Sequence, residues 1–341
     1  MFRTSYTRPL YNLCINNNID FTSLELIKES NDCYRINEFP NCLPHDIDYH
    51  HHRMTKLWSK TNLGNKERQK IGASFYENRR EGILTRDRQV YTSNQVVHKL
   101  PDNFDKSKNN IVIFNSSEDE FAAIGDIFED KAVFKTQEKG VKWICETLEK
   151  YENYRVYLKI HPNLNSINYD YVERLLLMSN SHKNLTVIPG DSTVSTYSIM
   201  DESDKVIVFG SSTGVEANYW GKPVINLASS FYYYLNIAYK PKAKEELKKL
   251  LLSDYLKTKP KKESIIYGFY LMNYKSYTQS FNTLKRSRTL GINTGLGLPY
   301  YKILGSKSLF NIINLMYKKK AHLLGKKELS IPKKDIAEKQ K

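Results

Sequence analysis

The stretch KVIVFGSSTGVEANYWGKPVINL, residues 205–227, carries the pattern of a strand, a helix and a second strand in one short run. Four apolar residues precede Gly210, hydroxyl side chains open a helical segment after it, and Gly221 ends that segment. The apolar run within 222–227 then reads as another strand. A strand–helix–strand unit of this kind joins two parallel strands by a right-handed crossover. The stretch therefore predicts a parallel sheet with helices packed on its faces.

The same alternation extends upstream of this stretch. Strand patterns occur at 110–117, 154–162 and 184–190, and helical spacing of apolar residues occurs at 139–151, 168–180 and 193–203. Strands that alternate with helices predict a doubly wound α/β domain with a sheet of five parallel strands. Ligands of such sheets bind at the carboxyl ends of the strands, which here means the loops at 115–120, 161–163 and 210–214.

The flanking segments have a different character, so we predict three domains. Residues 1–106 form a polar, irregular N-terminal region with one helix near 65–82 and no series of buried strands. Residues 107–240 form the Rossmann-like domain. Residues 241–341 form a helical, basic extension, in which 242–256 is amphipathic and 290–301 is a glycine-rich loop.

The positive charge is concentrated in the C-terminal segment. The formal net charge is +15, and residues 241–341 alone contain 23 Lys and Arg against 7 Asp and Glu. Such a segment suits an anionic membrane surface. The alternatives are a solvated helical face or a nucleic-acid partner, and the sequence contains no recognised nucleic-acid-binding motif. No apolar run reaches the length of a membrane span and no signal peptide is evident, so we expect a cytoplasmic protein, peripheral at the inner face of the membrane.

The loop that opens with Gly210 has the chemistry of a phosphate site. Ser211, Ser212 and Thr213 begin a helix, where hydroxyls, unpaired backbone N–H groups and the helix dipole favour an anion. Glu216 follows in the first turn, and two interpretations are open for it. It completes a capping box with Ser212, or it binds the hydroxyls of a ribose.

His161 is the second candidate and lies within VYLKIHPNLNS, residues 156–166, at the last position of the predicted strand. Pro162 stops the strand directly after it and holds the imidazole at the sheet edge. A histidine there donates to a phosphate oxygen and stabilises a departing nucleotide. Lys159, two residues earlier on the same face, is a further candidate for phosphate binding. A structural role is the alternative for a single histidine.

The acidic loop after the first strand of the sheet contributes Glu118, Asp119 and Glu120. These carboxylates suit a metal, a catalytic base or sugar hydroxyls, and surface charge with Ser117 as a helix cap is an equal alternative. The four cysteines lack zinc spacing, and the consecutive histidines 50–52 do not share one face of a helix. We therefore predict no metal site.

Taken together, LKIHPN and DKVIVFGSSTGVEANYWGKPVINL resemble the C-terminal half of bacterial capsule-polysaccharide synthesis proteins of the GT-B type. That group includes Kdo transferases, and bacterial sialyltransferases carry similar His-Pro and Ser/Thr motifs. The aromatic segment SSFYYY, residues 229–234, matches the tail of the motif. The similarity covers residues 110–235 and implies a GT-B-like fold, in which a first Rossmann-like domain binds the acceptor. Residues 1–106 are short and irregular for such a domain, so we expect that the acceptor-side domain is reduced or that the chain begins late.

The resemblance implies a glycosyltransferase that transfers a sugar from a nucleotide-activated donor. The transfer inverts the configuration of the anomeric carbon and uses no essential metal or other cofactor. The donor is a CMP-Kdo-like, CMP-sialic-acid-like or UDP-linked sugar, and the acceptor is a surface polysaccharide or a lipid-linked sugar. His161 would assist the leaving group, and residues 211–213 and 216 would hold the nucleotide. The base has no clear match, with Glu118, Asp46 and Asp48 as candidates. The alternatives are an inactive nucleotide-binding scaffold, a teichoic-acid-type glycerophosphotransferase and a nucleotide-sugar epimerase.

Overall fold

The computed structural model describes residues 8–30, 33–85, 90–118, 131–165, 169–273 and 284–285. The chain divides into two compact units. The first comprises Met1–Glu25 and Glu38–Ser276, and the second Leu26–Asn37 and Tyr277–Lys341. The domain boundaries expected from sequence remain predictions.

The helices and strands are as follows, in chain order. The helices are α1 (Arg8–Asn16), α2 (Ile47–Lys60), α3 (Asn65–Arg80), α4 (Gln137–Leu148), α5 (Asp170–Leu177), α6 (Thr196–Glu202), α7 (Thr213–Tyr219), α8 (Lys244–Leu252) and α9 (Lys262–Met272). The strands are β1 (Thr22–Ser30), β2 (Cys33–Pro40), β3 (Asn109–Phe114), β4 (Tyr154–Lys159), β5 (Leu185–Ile188), β6 (Lys205–Val208), β7 (Val224–Asn226) and β8 (Leu284–Lys285). Short 3₁₀ turns lie at Pro162–Leu164 and Met178–Asn180.

The central sheet of the first unit has five parallel strands in the order β5-β4-β3-β6-β7. Strands β4 and β5 lie on one side of β3, and the chain then crosses back so that β6 and β7 lie on the other side. Numbered within this sheet, the order is 3-2-1-4-5, which is the doubly wound Rossmann order as far as its fifth strand. The predicted α/β class and the doubly wound parallel sheet are therefore confirmed.

Both faces of the sheet are covered, which explains why its strands are nearly continuous apolar runs. On one face, Ile111 and Ile113 of β3 pack with Val156 and Leu158 of β4 beneath α4 and α5. On the other face, Val112 packs with residues of β6 and of α6 and α7. The four apolar residues predicted to share one face of α4 are all fully buried, namely Val141, Ile144, Cys145 and Leu148.

A layer of three helices packs outside α7. Helix α9 crosses α3 so closely that a Cβ on Gly72 would overlap the carbonyl oxygen of Ile265, and a Cβ on Gly268 would overlap that of Gly72. Tyr76 of α3 stacks on Tyr219 of α7 with ring centroids 4.2 Å apart. The predicted helix near 65–82 is thereby confirmed as α3, and its C-terminal end lies against the sheet domain.

A second, three-stranded sheet has the order β1-β2-β8, with Tyr34 opposite Leu284 in an antiparallel pair. Sequence reasoning missed β1 and β2, because the polar run TSLELIKES does not show the buried pattern of β3. The helical expectation for the start of the basic extension is confirmed by α8 and α9. The glycine-rich loop and the rest of that extension, residues 286–341, lie outside the described residues.

Candidate functional site

The carboxyl ends of β3, β4 and β6 lie side by side at one edge of the sheet. Phe114 at the end of β3 is in register with Lys159 of β4 and with Val208 of β6. Because the strand order reverses between β3 and β6, the chain segments that follow these two strands turn to opposite faces and open a crevice. This is the place at which sequence reasoning expected a ligand.

Two residues of the loop after β3 tie the neighbouring loops together. The Oδ1 atom of Asn115 accepts a hydrogen bond of 2.7 Å from the backbone N–H of His161. The hydroxyl of Ser116 donates to the carbonyl oxygen of Phe209 over 2.8 Å. The structure thus joins the His-Pro loop and the Gly210 loop through residues that sequence reasoning did not single out. Their position directly after the central strand was the signal that could have found them.

His161 occupies the N-cap position of the 3₁₀ turn Pro162–Leu164. Its Nδ1 atom accepts from the backbone N–H of Asn163 over 3.2 Å. This bond selects the neutral tautomer that carries its proton on Nε2, which makes Nε2 a hydrogen-bond donor. The ring of Tyr91 packs edge-on against the imidazole, with centroids 5.3 Å apart. The imidazole is therefore oriented, as the proline after it predicts.

Gly210, two residues after the end of β6, adopts a conformation that requires glycine. Its φ is +81°, and a Cβ would overlap the carbonyl oxygen of Ser229. The hydroxyl of Ser211 then accepts from the backbone N–H of Thr213 over 3.3 Å and donates to the Thr213 hydroxyl over 3.1 Å. Ser212 makes no side-chain capping bond to α7, so the capping-box interpretation is wrong. The side chains of Ser212 and Thr213 are partly exposed where α7 begins.

Glu216 is buried, and each of its two carboxylate oxygens has a polar partner. One oxygen lies 3.0 Å from the guanidinium of Arg79, and the other accepts from the hydroxyl of Tyr197 over 2.5 Å. Burial, and then the adjacent carboxylate, raise the pKa of Tyr197 far above its ordinary range. In this structure Glu216 thus links α7 to α3 and α6. Its binding to ribose hydroxyls stays a prediction, and Arg79 is a partner that sequence reasoning missed.

Lys159 is also buried, at 4% exposure. Its Nζ atom donates to the carbonyl oxygen of Val194 over 3.1 Å. Burial lowers the pKa of Lys159 from 10.5 to about 8. The lysine therefore holds the loop before α6, and its contact with phosphate stays a prediction.

The acidic candidates are distributed over two places. Glu118 accepts from the backbone N–H of Gln137, the first residue of α4, where the helix dipole favours a negative charge. Burial, and secondarily Glu138, raise the pKa of Glu118. Asp119 and Glu120 lie outside the described residues. Asp46 caps α2 by accepting from Tyr49 N–H over 2.8 Å.

The aromatic segment 229–234 connects the site to α2. The hydroxyl of Tyr232 donates to the carbonyl oxygen of Ser211 over 2.6 Å, which supports the loop before α7. The ring of Tyr234 packs edge-on against His51, with centroids 5.4 Å apart, and burial, followed by the nearby carboxylate of the exposed Asp48, raises the pKa of Tyr234. Asp48 thus lies beside this segment, and its role as a base stays a prediction.

Within the described ranges, no group of three or more His, Cys, Asp or Glu side chains is arranged to hold a metal ion. His50 is buried between the hydroxyl of Tyr270 and the carbonyl oxygen of Pro44, and burial lowers its pKa from 6.5 to about 4. None of the helices in the described part is both long and apolar enough to cross a bilayer.

A family model described as capsule polysaccharide biosynthesis protein matches residues 45–279. The chain belongs to this family. The match begins in the loop before α2 and extends past α9, so it includes the three loops at the sheet edge. The resemblance to capsule-polysaccharide synthesis proteins, predicted from the His-Pro and Ser/Thr motifs, is confirmed at this level.

Similar solved structures include the beta Kdo 2,4 transferase of Thermosulfurimonas dismutans KpsC, at 14% identity and a TM-score of 0.46, covering 78% of this chain and 76% of that one. The beta Kdo 2,7 transferase of the same KpsC has 18% identity and a TM-score of 0.38, covering 68% and 62%. S. aureus MnaA, solved with UDP, has 16% identity and a TM-score of 0.31, covering 50% and 46%. No curated protein matches the chain.

Proposed function

We propose that this chain is a glycosyltransferase of capsule biosynthesis that takes a sugar from a nucleotide-activated donor. The observation that carries the proposal is the convergence of three polar loops at the carboxyl edge of a Rossmann-order sheet, with an oriented histidine among them. Membership of the capsule polysaccharide biosynthesis family supports the pathway in which such a transferase would act.

In the proposed mechanism, the phosphate of the donor lies between the His-Pro loop and the start of α7. The Nε2–H of His161 donates to a phosphate oxygen that gains negative charge as the bond to the sugar breaks, and it thereby stabilises the departing nucleotide. The partly exposed hydroxyls of Ser212 and Thr213, with the backbone N–H groups of the first turn, bind the same phosphate. The sugar passes to a hydroxyl of the acceptor, whose proton goes to a base that we leave unassigned.

The proposal extends to the substrates and the place of reaction. The donor is a CMP-linked acidic sugar such as CMP-Kdo or CMP-sialic acid, or a UDP-linked sugar, and the acceptor is a growing capsule polysaccharide or its lipid-linked primer. Inversion at the anomeric carbon and independence from a metal ion belong to the same proposal. The basic segment 241–341 would hold the protein at the anionic inner face of the membrane.

The test is acceptor-dependent release of nucleotide. The purified full chain is incubated with CMP-, UDP- and GDP-sugars in turn, with capsule oligosaccharide as acceptor, and both the free nucleotide and the elongated product are measured. We expect turnover with one donor class and its loss in His161→Ala. The matched control is His182→Gln. His182 lies just before β5, at the amino-terminal ends of the strands and therefore at the end of the sheet opposite to the three loops. Nucleotide binding without turnover for any donor would favour the inactive scaffold instead.

A further inference from the structure

The loop directly after the central strand β3 contains two buried side chains with unused hydrogen-bonding groups. Asn115 and Ser117 are each 2% exposed. Within the described part of the chain, neither Nδ2 of Asn115 nor Oγ of Ser117 has a hydrogen-bond partner. Most buried polar groups in folded proteins are paired, so two such groups two residues apart require a physical reason.

The geometry of Asn115 fixes what its free group needs. Its Oδ1 atom accepts from the backbone N–H of His161, so the other end of the planar amide is the NH₂ group, a donor only. The hydroxyl of Ser117 is also able to donate. Two donors without acceptors, beside the loop of His161 and at the place where the strand order reverses, suit a ligand that brings negatively charged oxygens.

Ser116, between them, shows that the loop itself does not prevent pairing. Its hydroxyl donates to the carbonyl oxygen of Phe209, its N–H donates to Oε1 of Gln137, and its carbonyl oxygen accepts from Nε2 of Gln137. Ser116 therefore serves the fold, whereas the groups on either side of it are left unpaired. An unpaired buried donor destabilises the free protein, and a bound acceptor removes that penalty.

We propose that Nδ2 of Asn115 and Oγ of Ser117 bind an oxyanion of the sugar donor and so form a third wall of the anion site. This inference rests on the proposed function and deepens it. The oxyanion is a phosphate of the nucleotide or the carboxylate of an acidic sugar. In either case Asn115 acts twice, since the same side chain that binds the oxyanion also positions the backbone of His161.

The test measures ligand affinity and stability in the same variants. Asn115→Asp keeps an oxygen for the N–H of His161 and replaces the amide donor with a negative charge. Ser117→Ala removes only the unpaired hydroxyl. Affinities for CMP, UDP and GDP, for their nucleosides, and for free Kdo and N-acetylneuraminate are measured by calorimetry on the full chain.

We expect each variant to weaken anion binding about tenfold or more, because a hydrogen bond to a charged group is lost. Loss confined to nucleotides, with nucleosides unaffected, identifies the phosphate, and loss confined to the free sugar acids identifies the carboxylate. The melting temperature of Ser117→Ala should equal or exceed that of the wild type. Ser116→Ala is the matched control, and its melting temperature should fall because paired groups are broken.

The outcomes separate the inference from the proposed function. If the wild type binds a nucleotide and His161→Ala weakens it, but Asn115→Asp and Ser117→Ala bind as tightly as the wild type, the inference is overturned and the proposed function stands. If Ser117→Ala melts lower than the wild type and binds normally, its hydroxyl belongs to the fold and the inference is again overturned. If the wild type binds none of the nucleotides or sugar acids, the proposed function fails and this inference falls with it.

Discussion

Replacement of Glu216 by glutamine tests whether this carboxylate holds the fold or holds a nucleotide. Glu216 is 3% exposed and lies 3.0 Å from the guanidinium of Arg79, whose side chain is 14% exposed. Removing one partner of a buried ion pair leaves the other charge uncompensated and costs about 3–5 kcal/mol. The Tyr197 hydroxyl retains an acceptor in the glutamine side chain, so the loss arises mainly from the missing negative charge beside the Arg79 guanidinium.

A double-mutant cycle separates this coupling from other effects. The free energies of urea-induced unfolding are measured at pH 7 for Glu216→Gln, for Arg79→Met and for the double variant. We expect each single change to destabilise the protein by about 3 kcal/mol or more, and the double variant to be more stable than the sum predicts by about 2 kcal/mol. Coupling below about 0.5 kcal/mol, together with lost nucleotide binding in Glu216→Gln, would refute the packing role and favour the ribose-binding one.

Three further perturbations address the packing and the buried titratable groups. Gly268→Ala should destabilise the protein by about 2 kcal/mol or more in urea unfolding, because its Cβ would overlap the backbone of Gly72. The control is Gly64→Ala, which has no atom within 4 Å of the new Cβ and should change stability by less than about 1 kcal/mol. Burial lowers the pKa of Lys159 from 10.5 to about 8, so the unfolded chain binds more protons than the folded one between these pH values. Wild-type stability should therefore rise by up to about 3 kcal/mol relative to Lys159→Met as pH increases across that window. Parallel stability–pH profiles of the two proteins would contradict this prediction. His50, whose pKa burial lowers from 6.5 to about 4, should cost the wild type about 3 kcal/mol of stability as pH falls through that interval, and urea unfolding of His50→Gln should show a flatter profile.

The sheet was predictable from sequence because its strands are covered on both faces. β3 and β6 are short apolar runs that end at polar residues or glycine. This pattern can be recognised in the sequence without knowing which strands pair with them. The meeting of the loops also followed from sequence, since parallel strands place their carboxyl ends at one edge. This argument placed His161 and the residues after Gly210 at the same edge, and their roles in binding stay predictions.

The partners of those residues were not predictable by the same means. The pairing of Glu216 with Arg79 joins positions 137 residues apart, and no local pattern distinguishes a carboxylate that binds sugar from one that meets a buried arginine. Likewise, Asn115 was one polar residue at the end of a strand, and its bond to His161 depends on the register of β3 and β4. The hydrogen bond from the Lys159 amine to the carbonyl oxygen of Val194 also joins positions far apart in the chain, and the role of Lys159 in phosphate binding stays a prediction.

The most direct test of the central claim is the thermal stability of the wild type and of His161→Ala with CMP, UDP, GDP and CDP, each compared with its nucleoside. A nucleotide at 100 times its dissociation constant stabilises the native state by about 2.7 kcal/mol. The account predicts that at least one nucleotide raises the melting temperature of the wild type well above the effect of its nucleoside, and that His161→Ala loses most of this difference. A wild type that responds to none of the four, or equally to nucleotide and nucleoside, would contradict a phosphate site at this sheet edge.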